Sequence, residues 1–493
     1  MVYPGVAGRS PLWARLAHDG LEDVPLQIDR IQLLLEAARL EPPAVGDLAI
    51  HGSDPILASR FPIGEASAVA LASCGAAAAR LHELRGGEPQ KVEVEVRAAA
   101  ATLIGFLLQS GNLPIELRRA FNPVTAIHPA KDGRFIHLHG GFEHLAAGTL
   151  ELLGCEADAG SIAAATEGWD GFELEDVLAE RGLCGAVVRG AEEWAEHPQA
   201  IALAGRPVVE IERIGDAELE PTLAVPGRRP LSGVRVLDLT RVLAGPTCAR
   251  TLAEHGADVL RVGAERLPSV EPFVVDTGRG KRNAFLDLDR PEELKRLRGL
   301  VSEADVLCQG YRPGALDARG LGAEAAAALR PGIVYVSIDC YGHVGPWSSR
   351  RGWEQLAQSA VGIAAAEGGD GPPRLAPAAA TDYTTGALAA FGVMTALARR
   401  AREGGSWHVR ASLCQTGMWL TRLGACHDPA AAVGLGDVTT LQMQSETAWG
   451  SLTHLAPAVK MAKTPPRFAL PPSPLGSHAA EWLPRAPIGS AAS

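Results

Sequence analysis

A chain of 493 residues, 47% of them apolar, can bury a sizeable core and on size alone divides into two or more domains, which excludes a disordered or fibrous protein. Its formal charge of −11 opposes non-specific attraction to nucleic acid or to an anionic membrane surface, while leaving room for a local phosphate site. The eight cysteines (74, 155, 184, 248, 308, 340, 414 and 426) include no CxxC pair and no dense short-loop set, so a disulfide scaffold and a zinc ribbon lack support and reduced thiols in a cytosol fit best.

The opening MVYPGVAGRSPLWARLAHDG lacks an apolar core of signal-peptide length, and the later Ala-rich stretches are interrupted by charges, which reads as buried helix and not as a membrane span. Around Asp132-Gly133 a turn separates strand-like runs. From Leu231 the pattern is strand, turn, helix: VRVLDL (234–239), then Ala244-Gly245-Pro246, then TCARTLAEHG. ADVLRV (257–262) and AFLDLD (284–289) predict further strands, residues 291–302 a charged amphipathic helix, and GIVYVSID (332–339) another strand. This alternation implies an α/β fold with a doubly wound parallel sheet whose ligands bind at the carboxyl ends of the strands. Residues 353–366 predict an apolar helix, 384–403 a long Ala-rich helix stopped by Gly404-Gly405, and WHVRASL a returning strand. Beyond about Thr464 the Pro-rich tail is expected to be extended.

An ungapped comparison at an offset of 317 reveals an internal echo. Between 65–97 and 382–414, eight positions agree, among them Ala70/Ala387, Gly75/Gly392, Arg85/Arg402, Gly87/Gly404 and Val92/Val409. The acidic residues Glu65 and Asp382 stand at the same entry point.

The stretch LSGVRVLDLTRVLAGPTCARTLAEHGADVLRV (231–262) resembles the opening of family III (CaiB/BaiF-type) acyl-CoA transferases. GKRNAFLDL, ADVLCQGYRPGALDARGLG, RPGIVYVSIDCYGHVGPW, GWEQLAQSAVGIAAAEG and ATDYTTGALAAFGVMTALARRAREGG follow in the family's order through residue 405. The first half resembles the family out of order: 61–105 is similar to the block around the catalytic helix and 123–210 to the small domain that normally follows it. The resemblance implies a Rossmann-like sheet with a small α+β domain. It divides the chain into a partial helical block (1–122), a small-domain segment (123–225), a CoA-binding and catalytic domain (226–425) and a Pro-rich tail (426–493).

The resemblance also implies that coenzyme A is a substrate moiety with no permanently bound cofactor, and that the enzyme is a cytoplasmic interlocked homodimer without nucleic-acid or membrane partners. It places the catalytic aspartate at Asp382; from the residues alone an ordinary helix N-cap is the commoner reading of that position, and the ordered flanking motifs reverse the preference. Glu65, one C–C bond longer, is expected to be a capping or exposed carboxylate. The turn of Arg241, Val242, Leu243 and Ala244 is placed around CoA, and Arg261, Lys281, Arg282, Tyr311 and Arg312 are placed near its adenine and phosphates. The family's usual acid after the second strand is Gly263 here. His137, His139 and His144 lack further ligands at a metal-binding spacing and read as a polar strand face. Gly140-Gly141 stands where the family has a longer glycine run closing over the acyl-enzyme. The expected activity is CoA transfer through an aspartyl-CoA thioester. The alternatives are a non-catalytic acyl-CoA-binding or regulatory homologue and an acyl-CoA racemase, the latter disfavoured because Trp353 occupies the racemase histidine's place.

Overall fold

The computed structural model describes residues 31–32, 36, 48–111, 122–220, 229–425 and 427–484. Seven strands form the main sheet: β1 (Val209–Gly215), β2 (Arg235–Asp238), β3 (Asp258–Gly263), β4 (Lys281–Phe285), β5 (Val306–Gln309), β6 (Val334–Asp339) and β7 (Ser406–Ser412). Their order is β4-β3-β2-β5-β6-β7-β1. All neighbours are parallel except β1, which runs antiparallel at the edge beside β7. β2 is buried along its whole length, as expected for a strand covered on both faces. The chain winds from β2 to β4, then returns to β5, and the crevice at that reversal is where α/β sheets bind ligands.

Four helices position the site: α1 (Ile63–Leu84), α2 (Ala244–Glu254), α3 (Glu354–Ala360) and α4 (Ala380–Glu403). α4 is buried almost continuously from Ala380 to Ala398, which makes it an interior helix. Small residues allow its neighbours to approach: a Cβ on Gly386 would meet the Ala244 carbonyl at 2.5 Å and Thr247 at 2.7 Å. α1 packs on α4, and the Cys74 thiol lies 3.0 Å from the Ala387 carbonyl.

Residues 122–205 form a smaller α+β unit around a three-stranded antiparallel sheet, Ala126–Pro129, Phe135–Leu138 and Gly185–Val187. Its core gathers Val124, Ile136, Leu138, Leu145, Ile162, Leu174 and Leu178, and it admits Leu356 of α3. β1 follows directly, so this unit is tied to the main sheet by a strand.

Several elements differ from the sequence expectation. The third strand begins at Lys281 instead of Ala284, because the backbone pairs with β3 from Val259 onward. The helix expected over 353–366 breaks at Gly362, whose φ of +98° permits close approach: a Cβ there would lie 2.6 Å from the Ala191 amide of the small unit. The segment taken as a helical block also carries strands Leu48–His51 and Val92–Glu95, while the segment taken as a tail carries a hairpin (Gln442–Thr447, Gly450–Leu455) and strand Val459–Met461. Past Met461 the described chain runs along the β4 edge, with Asn283 donating to the Ser473 carbonyl and the Trp482 indole to the Leu300 carbonyl.

Candidate active site

The turn after β2 is braced from below. Lys281 is fully buried, its ammonium 2.8 Å from both the Asp238 carboxylate and the Pro246 carbonyl, so it ties β2 to the first turn of α2. This corrects the expectation that Lys281 meets a phosphate: its donors are directed inward. Above the brace, Val242 adopts φ +69°, an unusual conformation for a β-branched residue. Leu243 and Ala244 are buried beside it.

Asp382 stands in the first turn of α4, and the residue preceding the helix is Ala379. It is therefore inside the helix and is not its N-cap; the helix begins four residues before the expected Thr384. Asp382 is 8% exposed. Burial and the nearby Glu354 raise its pKa well above the usual carboxylate range, and the Ala244 backbone opposes them by hydrogen bonding.

Glu354 was not singled out from the sequence. Its Oε1 accepts from the Gln358 amide at 2.7 Å, the Thr381 hydroxyl at 3.1 Å and the Thr381 amide at 3.2 Å, so a carboxylate from α3 caps α4. Burial pushes its pKa to about 7 despite those donors. The available signal was the one acid in the stretch expected to form a mostly apolar helix. The charge of each buried acid disfavours ionisation of the other, so their titrations are linked.

The small unit closes over this corner. Gly141 packs so tightly that an added Cβ would meet His139 at 2.6 Å and Trp353 at 3.0 Å. The His139 and Trp353 rings stack at 4.2 Å, and the Phe142 ring meets Trp353 edge-on at 5.0 Å. Arg241 lies 4.9 Å over the Phe142 ring, joining this loop to the turn after β2. His137 Nδ1 is 2.8 Å from the Ser359 hydroxyl. Burial lowers His137 and His139 to about 3, so both are neutral at ordinary pH, and no metal-ligating cluster occurs among the described residues.

The remaining expected contacts divide. Arg241, Val242 and Arg261 line one cleft beside Pro268–Val270. Tyr311, Gly263 and Arg319 line a cavity of about 190 Å³ at the carboxyl ends of β2 to β5. Arg312, next to Tyr311 in the chain, is exposed. Arg282 points elsewhere, donating to Asp258 and to the Glu481 carbonyl. Glu65 is in the first turn of α1, its amide donating to Asp54 at 2.8 Å.

The doubly wound α/β sheet thus carries a buried acid pair beside the turn after β2, with the Gly141–Phe142 loop packed on Trp353 and Arg241. Residues 231–440 match the family model for CoA-transferase family III. The chain is 34% identical over 340 residues to the acetyl-coenzyme A transferase nodX of Hypoxylon pulicicidum, covering 63% of this chain and 56% of that protein. It is 34% identical over 189 residues to the human succinyl-CoA:glutarate CoA-transferase, covering 36% of this chain and 43% of that one. The chain thus spans about half the length of the curated relatives it matches. A solved CAIB/BAIF family protein from Brucella suis is 28% identical over 45% of this chain and 65% of its own, with a TM-score of 0.37.

Proposed function

We propose that this protein transfers CoA between an acyl-CoA thioester and a carboxylic acid through Asp382. The supporting observation is the buried Asp382 carboxyl, paired with Glu354 and walled by the Ala244 turn of the sheet and the Gly141–Phe142 loop of the small unit. As the anion, Asp382 attacks the thioester carbonyl and CoA thiolate leaves, giving an aspartyl-acyl anhydride. The thiolate then attacks the aspartyl carbonyl, the first acid departs as its carboxylate, and an aspartyl-CoA thioester remains. The second acid reverses these two steps and regenerates the free Asp382. Glu354 stays hydrogen-bonded at the helix head, its titration linked to that of Asp382.

The cleft of Arg241 and Arg261 suits the anionic phosphates, and the cavity beside Tyr311 suits the adenosine end. A free cytosolic enzyme fits the reduced cysteines; no helix among the described residues is long and apolar enough to cross a membrane. Trp353 stacks on His139 and presents no base, which disfavours the racemase reading. Mass spectrometry of protein incubated with a panel of acyl-CoA thioesters is the test: CoA attached to the Asp382 peptide in a hydroxylamine-sensitive linkage is expected. A protein that binds acyl-CoA but never forms that adduct would be a binding homologue.

A further inference from the structure

The echo at offset 317 extends to three-dimensional structure. The residues preceding α1 and α4, Pro62 and Ala379, share backbone angles of −76°/60° and −78°/58°. Each helix is followed by a strand and then by a helix beginning at equivalent positions, Val96 and Leu413. Strand Leu48–His51 pairs parallel with Val92–Glu95 as β6 pairs parallel with β7. The Cys74 thiol of α1 donates to the Ala387 carbonyl of α4, where the two helices pack together.

The third strand of each set comes from the opposite half. β1, which ends the N-terminal small unit, pairs antiparallel with β7 of the C-terminal half through Val209↔Ala411, Glu210↔Arg410 and Ile211↔Val409. Val459–Met461, from the C-terminal half, pairs antiparallel with the N-terminal strand through Val459↔Val94, Lys460↔Glu93 and Met461↔Val92. At the 317 offset these registers coincide residue by residue. The packing matches too: a Cβ on Gly75 would come closer than 3.0 Å to Val92 and Val459, and one on Gly392 would do so to Val409 and Val209.

Two copies of one unit that exchange their last strands are the arrangement of an intertwined two-fold dimer, here contained in one chain. The copies have decayed in complementary ways. Between its strand and α1 the first has only residues 52–62, where the second has 340–379 with α3 and Glu354. The first retains the small unit, whereas the second retains a hairpin in its place. What the first copy keeps, the second copy's site uses: the 139–142 loop covers Trp353 and touches Arg241, and the Arg189 amide donates to the Ser359 carbonyl.

We propose that the chain is a fused pseudo-dimer that works as a monomer with one active site, completed in cis by its own N-terminal half, in place of the homodimer that the family resemblance implies. Only the expected count of bound CoA rests on the function proposed above. The test uses the full chain with a photoreactive benzoylphenylalanine at position 142, prepared with light and heavy nitrogen and mixed one to one. Cross-links from 142 to peptides containing Arg241 or Trp353 are expected to join only like-labelled peptides. Native mass spectrometry is expected to show a 51.5 kDa particle taking up one CoA. Mixed-label cross-links, or a particle of twice that mass at all concentrations, would overturn the inference. Like-labelled links in a 51.5 kDa particle that binds no CoA would support this assembly and sink the CoA-transferase reading instead.

Discussion

α1 and α4 begin with the same backbone turn, carry an acid at the same position and pack against each other, yet their surroundings differ in chemistry. Around Glu65 the neighbouring acid is Asp54, which receives backbone amides from Glu65 and Ile56 and thereby finishes a helix start. Around Asp382 there is a second buried acid, a strained turn after β2 and an aromatic loop from another unit. The same helix geometry therefore carries two carboxylates with different properties, because burial and neighbours, not the helix, set how readily each ionises.

The largest effect should separate these two acids. Asp382→Asn keeps the shape and the CoA site but cannot form the anhydride or the thioester. Transfer is expected to fall by on the order of 10³-fold or more, while Glu65→Gln stays within about twofold of wild type. Steady-state rates with calorimetric CoA affinity would show it, and an active Asn variant would place the chemistry elsewhere.

The brace under the turn has no counterpart among the described residues of the N-terminal half. Lys281→Met leaves Asp238 buried without its ion partner and should destabilise the fold by about 3–5 kcal/mol, read from urea denaturation. An unchanged midpoint would mean that the pair is dispensable. The shared helix seats should respond alike: Gly75→Val and Gly392→Val each force a Cβ into two valines, and each should cost about 1–3 kcal/mol. A loss confined to one of them would break the structural equivalence.

The winding of the sheet, the position of α4 and the echo were legible because each rests on local pattern: short apolar runs, an Ala-rich helix and identities at a fixed spacing. The role of Lys281 was not, because a lysine at a strand end near a turn suited to phosphate looks the same in sequence whether its ammonium turns outward or in toward Asp238. Glu354 was missed for a related reason. Its partners, Thr381 and Gln358, come from the head of α4 and one turn along α3, and only tertiary packing buries it beside Asp382. The exchange of β1 and Val459–Met461 depends on pairing between segments far apart in sequence, which no local periodicity records.

Glu354 also supplies a pH signature. Both Glu354 and Asp382 have folded-state pKa values above their unfolded ones, Glu354 at about 7. Such groups contribute stability that is complete below the ordinary carboxylate range and lost as pH rises through the folded value. Stability should therefore decline as pH rises from the ordinary carboxylate range to about 7, while transfer should rise as Asp382, the proposed nucleophile, ionises. Glu354→Gln removes the like charge and should move the rise in kcat/KM to lower pH; an unmoved profile would show that the two acids titrate independently.

The smallest effect tests the outer edge of the CoA site. Arg312 is exposed and follows Tyr311, which lines the cavity with Arg319; a solvated cation interacts only modestly with a phosphate. Arg312→Glu should raise KM for the CoA ester by roughly two- to fivefold, leave kcat unchanged, and lose much of its effect at high salt, because screening weakens exposed charges first. Arg241→Glu provides the contrast: Arg241 is packed on Phe142 and bonded to the Pro268 carbonyl, so its loss disturbs the loop as well as the charge and should lower kcat too. If Arg312→Glu instead lowers kcat without changing KM, then position 312 is part of the closing machinery and the phosphates lie deeper, between Arg241 and Arg261.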